Sequence, residues 1–141
     1  MQIRRTYRVP LLLFTFALFA DHLITQRGLA AGGTEGDIVV IWLWNVLPFG
    51  PSMLVMLWWL LVIGIALLLS PFSIFVGRWW LYGAFIGHLS GFLSWTPVLH
   101  IPVQRVWELF GQQWGLAFLL ACAGAVGLLL AAVHSWLTRR T

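Results

Sequence analysis

Apolar residues run along this chain in long stretches, and the polar ones gather at the gaps between them. Val9 to Ala20 is such a stretch, closed by Asp21, His22, Thr25, Gln26 and Arg27; it predicts a membrane-spanning helix over 9–28. Met53 to Ser70 is almost uniformly apolar and just long enough to cross, and Ser70-Pro71 ends it. Residues 78–96 predict a third span and 115–137 a fourth. Between the first two, Ile38 to Leu47 is apolar but too short to cross, and Pro48-Phe-Gly-Pro51 breaks it. We read 38–51 as an interfacial or re-entrant segment. Residues 71–77 read as a short apolar connection. Thr96-Pro97 and Pro102 bracket the next turn, after which Val103, Trp107, Phe110 and Trp114 recur at helical spacing. Gln104, Arg105, Glu108 and Gln112 occupy the other side, which predicts an amphipathic surface helix over 102–114. The expected fold is all-α, a single four-helix membrane domain over residues 1–141.

Charge gives the expected fold an orientation. Arg4, Arg5, Arg8, Arg78, Arg139 and Arg140 fall on one predicted side, and only Arg27 and Arg105 on the other, with Glu35, Asp37 and Glu108. The positive-inside rule then puts both termini in the cytoplasm, as expected of a multi-pass inner-membrane protein. Trp42, Trp44, Trp79, Trp80, Trp95, Trp107, Trp114 and Trp136 map near the two predicted interfaces, with Arg78, Trp79 and Trp80 as an anchor whose arginine reaches toward the headgroups. The start resembles a secretory leader, basic and then apolar, with small residues over 28–33; we read it as a first span that is retained.

Composition agrees and removes other classes. With 61% hydrophobic residues, 9% charged ones and a mean hydropathy of +0.93, a soluble globule is excluded. The net charge of +4 would suggest nucleic acid for a soluble protein, but here the arginines flank apolar segments, so no nucleic-acid partner is expected. Cys122 is the single cysteine, which rules out an intrachain disulfide.

The third predicted span carries a glycine ridge, Gly83, Gly87 and Gly91 at successive i+4 positions. Helices gain no hydrophobic drive from meeting in lipid, and such ridges let two backbones approach closely. The partner is either a helix of the same chain, where Ala117, Ala121 and Gly124 offer a second small-residue face, or another subunit.

Ionisable residues inside spans are the candidate chemistry. Asp21 lies about 18 Å along the first predicted span, in the outer third of the bilayer core, with Thr25 one turn on. Asp21, Thr25 and a facing His88 form a candidate ion or proton site; the plain alternative is a hydrated Asp21 paired with Arg27 or Arg105. His22 and His88 fall at comparable depth and are candidate haem or pigment ligands, against histidines that simply hydrogen-bond between helices. No sequence feature requires a cofactor, and no metal motif occurs. Ser90 and Ser94 near His88 raise an intramembrane hydrolase, but Ser90, two positions on, points elsewhere on a helix, Ser94 is nearly two turns away, and no Gly-x-Ser-x-Gly elbow exists. No catalytic set is expected.

Asp21-x-x-x-Thr25, Gly28-Leu29, Gly32-Gly33 and Glu35-x-Asp37 together resemble a family of small uncharacterised multi-span membrane proteins with Asp-x-x-x-Thr and a glycine-rich Glu-x-Asn-Pro. The resemblance covers about residues 17–38, with Asp37-Ile38 standing where the family has Asn-Pro. It implies a short helical bundle and marks Asp21, Thr25 and Glu35.

The leading functional expectation is an accessory or scaffold subunit of a larger membrane complex, respiratory or photosynthetic in type. It would contact the lipid bilayer and other membrane subunits, or further copies of itself, through helix packing. Competing with it are a small oligomeric ion, proton or solute transporter using Asp21 and His88, and a haem- or pigment-binding protein using His22 and His88.

Overall fold

The computed structural model describes residues 2–33, 38–46 and 50–139, and all of the regular structure it describes is helical. The helices are α1 (Gln2–Ala30), α2 (Ile38–Val46), α3 (Pro51–Leu69), α4 (Ile74–Ser94) and α5 (Pro97–Thr138). The Pro48 break and the acidic pair Glu35 and Asp37 lie outside the described residues.

Each boundary has a local cause. α1 ends on Gly32 at φ 87°, where Gly33 N–H reaches Gly28 O at 2.9 Å and Gly32 N–H reaches Leu29 O at 3.0 Å. This is the left-handed glycine cap that ties up the last carbonyls of a helix. α3 and α5 both start on a proline in the first turn, where its missing N–H costs nothing. α4 starts at Ile74, not at Arg78, because Ser73 caps it, its Oγ accepting from Val76 N–H at 3.4 Å. The apolar connection expected over 71–77 is therefore mostly helix.

The expected surface helix over 102–114 also shifts. It begins at Pro97 and ends at Gly111, whose φ of 73° and ψ of 164° break α5. Pro102 sits inside the helix and forfeits one main-chain bond. The break splits the expected apolar stripe: Trp107 packs on Gly115, Phe110 stacks on Phe118 at 5.5 Å, and Trp114 stays exposed on the far side of the bend. On a straight helix, residues eight apart stand about 12 Å from each other, so these contacts come from the bend.

α4 is the centre of the bundle, with α1, α3 and α5 packed around it. α1 runs parallel to α4, since Tyr7 meets Gly77, Asp21 meets Gly91 and Gly28 meets Trp95. α3 runs antiparallel to both, shown by Trp59 Nε1 donating to Thr15 Oγ1 at 3.0 Å and Trp80 Nε1 donating to Val62 O at 3.0 Å. The second half of α5 is antiparallel to α4 as well: Tyr82 bonds His134 at 2.8 Å, and Gly83 meets Gly127. Thr6 and Thr138 thus lie at the same end, joined through Arg78. The core consists of Tyr7, Phe14 and Leu18 from α1, Val62 and Ala66 from α3, and Leu81 from α4.

Three helical segments are long and apolar enough to cross a membrane: Thr6–Ala30, Pro51–Leu69 and Gln113–Thr138. α4 is long enough but less apolar, since it carries Arg78, Tyr82, His88, Ser90 and Ser94. A helix ringed by protein can hold polar side chains that a lipid-facing one cannot.

Glycines set how closely these helices meet. A Cβ on Gly28 would collide with the ring of Trp95, and one on Gly33 would come within 2.9 Å of it. Gly28→Ala is expected to lower stability by about 1–3 kcal/mol, and Trp95→Leu in the same chain should recover most of the loss. A detergent unfolding series reads both; an undiminished midpoint for Gly28→Ala would contradict this packing.

Candidate functional site

The sequence places Asp21 on α1 and His88 on α4, and parallel packing brings them together: His88 Nδ1 stands 2.9 Å from Asp21 Oδ2. The two side chains are 19% and 22% exposed for Asp21 and His88 respectively, so the pair is shielded but reachable. A third helix completes the group, with Trp58 of α3 donating its indole N–H to His88 Nε2 at 2.9 Å.

This third bond decides the protonation pattern. An indole N–H can only donate, so His88 Nε2 must accept and carries no proton. Nδ1 then holds the ring proton and donates it to the Asp21 carboxylate. The arrangement is an imidazole held between the Asp21 carboxyl group and an indole. A second proton on the ring would have to displace Trp58, and a proton on the Asp21 carboxyl weakens the bond from Nδ1. Proton arrival is therefore coupled to contacts that join three helices.

Gly91 makes room for the carboxylate. A Cβ there would lie 2.7 Å from Asp21 Oδ1 and 2.8 Å from Oδ2. The glycine ridge divides its work along α4. Gly83 packs on α5, where a Cβ on Gly127 would lie 2.5 Å from Gly83 N. Gly91 seats Asp21, and Gly87 between them has nothing within 4 Å of its added Cβ. Ala117 and Ala121, expected on the facing ridge, are exposed; Gly124 and Gly127 are the residues that meet α4.

The other candidates spread out. His22 Nε2 lies 3.2 Å from Ser52 Oγ of α3, and a haem or pigment held by His22 and His88 would have to displace Ser52 from one ring and Trp58 or Asp21 from the other. Thr25 is half-buried one turn beyond Asp21, and Glu35 lies outside the described residues. Asp21 is held by His88 and not by Arg27 or Arg105. Ser90 Oγ donates to Ile86 O at 2.8 Å and Ser94 Oγ to Gly91 O at 2.6 Å, each bonding back to its own helix. His100 Nδ1 is 3.2 Å from Ser94 O. Among the described residues, no three His, Cys, Asp or Glu side chains converge as a metal site would need.

Arg78 corrects an expectation. It is 7% exposed and does not reach outward as an interfacial anchor. Its Nε donates to Thr6 O at 3.3 Å, and its Nη1 to Ser135 Oγ and Thr138 Oγ1, both at 3.1 Å. Starting α4 at Ile74 moves Arg78 into the second turn, facing α1 and α5. Trp79 and Trp80, expected as belt residues, donate their indole N–H groups to Gly124 O at 2.9 Å and Val62 O at 3.0 Å; Trp80 is half-buried between helices, while Trp79 stays 40% exposed.

Compared with known proteins, the chain matches no family model, no curated protein and no solved structure.

Proposed function

We propose that this chain is a four-span protein of the inner membrane, with both termini cytoplasmic, in which the Asp21–His88 pair binds and releases a proton during transport of an ion or small solute. Support for the fourth span is that α4, though less apolar than its neighbours, lies among three helices that are apolar enough to cross. The orientation rests on the arginine bias of the sequence. The observation that carries the functional reading is the 2.9 Å carboxylate–imidazole contact between two helices, capped by Trp58 from a third. Intramembrane carboxylates and histidines of this kind are the groups that relay protons in pumps and transporters. α3 is the least enclosed of the three apolar helices, with 11% of its apolar stretch buried, and its Trp58 bond to His88, which a second ring proton would break, is one of several ties to its neighbours.

The test is proton flux into liposomes containing the purified chain, driven by a potassium diffusion potential and read with an internal pH dye. Wild-type protein should conduct protons, and Asp21→Asn should reduce the rate to that of empty liposomes. Equal rates for wild type and Asp21→Asn would overturn the assignment of Asp21.

A second reading, an accessory subunit of a larger complex, is supported by Gly87. It lies in the middle of the ridge, and nothing among the described residues fills the space above it. Gly87→Leu would then release the protein from its complex in mild detergent, whereas intact co-purification would end that reading.

A further inference from the structure

All four acidic residues of this chain, Asp21, Glu35, Asp37 and Glu108, lie far along the sequence from the end where Thr6, Arg78 and Thr138 meet. Asp21 stands opposite His88, which is ten positions and about 15 Å along α4 from Arg78. At the Thr6–Thr138 end the chain instead places Arg8 and Arg139, with Arg4 and Arg5 preceding Thr6 and Arg140 following in sequence. Among the described residues no carboxylate stands there.

Arg78 makes this imbalance costly. Its guanidinium is enclosed by α1, α4 and α5, and its three bonds go to neutral oxygens. Nη2 bonds no described residue. A charge withdrawn from water without a counter-ion is strongly unfavourable. A second polar group at this end is unspent: Tyr7 is 4% exposed, and its Oη has no hydrogen-bond partner among the described residues. It lies over Gly77, next to Arg78, where an added Cβ would come within 2.5 Å of Oη. Arg8 and Arg139, neighbours of the region that Arg78 ties together, are exposed. The described residues at this end therefore hold a buried cation, a sealed phenol and two outer cations, with no carboxylate among them.

We propose that this end is a binding site for an anionic phosphate, with Arg78 at its floor and Arg8 and Arg139 at its rim, and that the occupant is the headgroup of an anionic phospholipid. Phosphate suits the fork of a guanidinium, and basic pockets between membrane helices on the cytoplasmic side hold anionic headgroups. The surroundings argue for a phosphate that arrives with acyl chains. Val9, Ile74, Phe75 and Leu137, all near the same end, are 51%, 49%, 36% and 53% exposed.

The experiment titrates full-length protein in neutral detergent with phosphatidylglycerol, phosphatidylcholine or inorganic phosphate. Native mass spectrometry counts bound lipid, and the thermal unfolding midpoint is followed in parallel. Phosphatidylglycerol is expected to bind roughly tenfold more tightly than phosphatidylcholine, less so as salt rises. Arg78→Gln should lose that preference, while Arg27→Gln at the opposite end should keep it. Arg78 also joins three helices, so its loss could unfold the chain. The double variant Arg8→Gln/Arg139→Gln leaves that junction intact and should weaken phosphatidylglycerol binding about fivefold per arginine. Equal binding of the two lipids, or unchanged binding by the double variant, would overturn the proposal. A full midpoint shift from inorganic phosphate alone would overturn the lipid as occupant and leave a free-anion site.

Discussion

Gly127→Ala is expected to destabilise the protein by about 3 kcal/mol, and Gly127→Leu to keep α4 and α5 from docking. The reason lies in what the new Cβ would meet. Gly83 N at 2.5 Å, Gly83 Cα at 2.8 Å and Tyr82 C at 3.1 Å are all backbone atoms of α4, and none can rotate aside. The helices would have to separate. That separation would stretch the Tyr82–His134 contact and the bonds from Arg78 to Ser135 and Thr138, which span the same interface. In lipid, where close van der Waals packing is a principal source of helix association, the loss is not recovered by burying the same surface elsewhere. Gly87→Ala is the matched control. Its Cβ meets nothing within 4 Å, so it should be neutral or gain roughly 0.5–1 kcal/mol through helix propensity. Unfolding in mixed detergent micelles compares the two. A wild-type midpoint for Gly127→Ala would mean that the α4–α5 contact is looser than described.

That contrast shows what a glycine ridge can and cannot say in advance. The i+4 spacing of Gly83, Gly87 and Gly91 marks a face without side chains, and α4 is the helix at the centre of the bundle. Nothing in the spacing says that one glycine seats a backbone, one seats a carboxyl group and one seats nothing among the described residues. Those roles depend on where α1 and α5 cross α4, which is a property of three helices together. Gly127 escaped notice for the same reason, because it lies three residues beyond the small-residue face that the sequence picked out.

The candidate pair was more legible. Charges inside apolar runs are few, so Asp21 and His88 stand out, and equal depth follows from where each falls in its helix. Trp58 was missed although a signal existed. Trp58 and Trp59 lie well inside the second predicted span and not at its ends, and an indole N–H buried at that depth needs an acceptor. Both have one, His88 Nε2 and Thr15 Oγ1. Arg78 was misread through a boundary: with the third span started at Arg78, an outward-reaching arginine is the natural reading. Ser73 as a helix cap was the overlooked clue, and a four-residue shift in a helix start turns an interfacial side chain into a buried one. The bend at Gly111 had no clear mark, since a lone glycine in an amphipathic stretch is as often tolerated as it is a break.

His88→Leu should be more damaging than the removal of both partners of its pair. Alone, it leaves the largely enclosed Asp21 carboxylate without its donor and leaves the Trp58 N–H without its acceptor. The penalty of a stranded charge reaches about 3–5 kcal/mol when burial is complete. Asp21 is 19% exposed, so its penalty is screened and falls nearer to about 2 kcal/mol. Asp21→Leu alone strands only the neutral Nδ1–H, while Nε2 keeps its bond from Trp58, and should cost about 1 kcal/mol. In the double variant no carboxylate remains to be stranded. The cycle should therefore close with a coupling of about 1–2 kcal/mol, in the range of residues sharing one network. Unfolding midpoints of the four proteins in mixed micelles give the coupling directly. Trp58→Phe serves as the internal check: it removes one bond to the imidazole without stranding a charge, so it should cost less than His88→Leu. If the two single losses simply add, then Asp21 and His88 are neighbours without mutual dependence, and the proton-handling role proposed for the pair loses its structural basis.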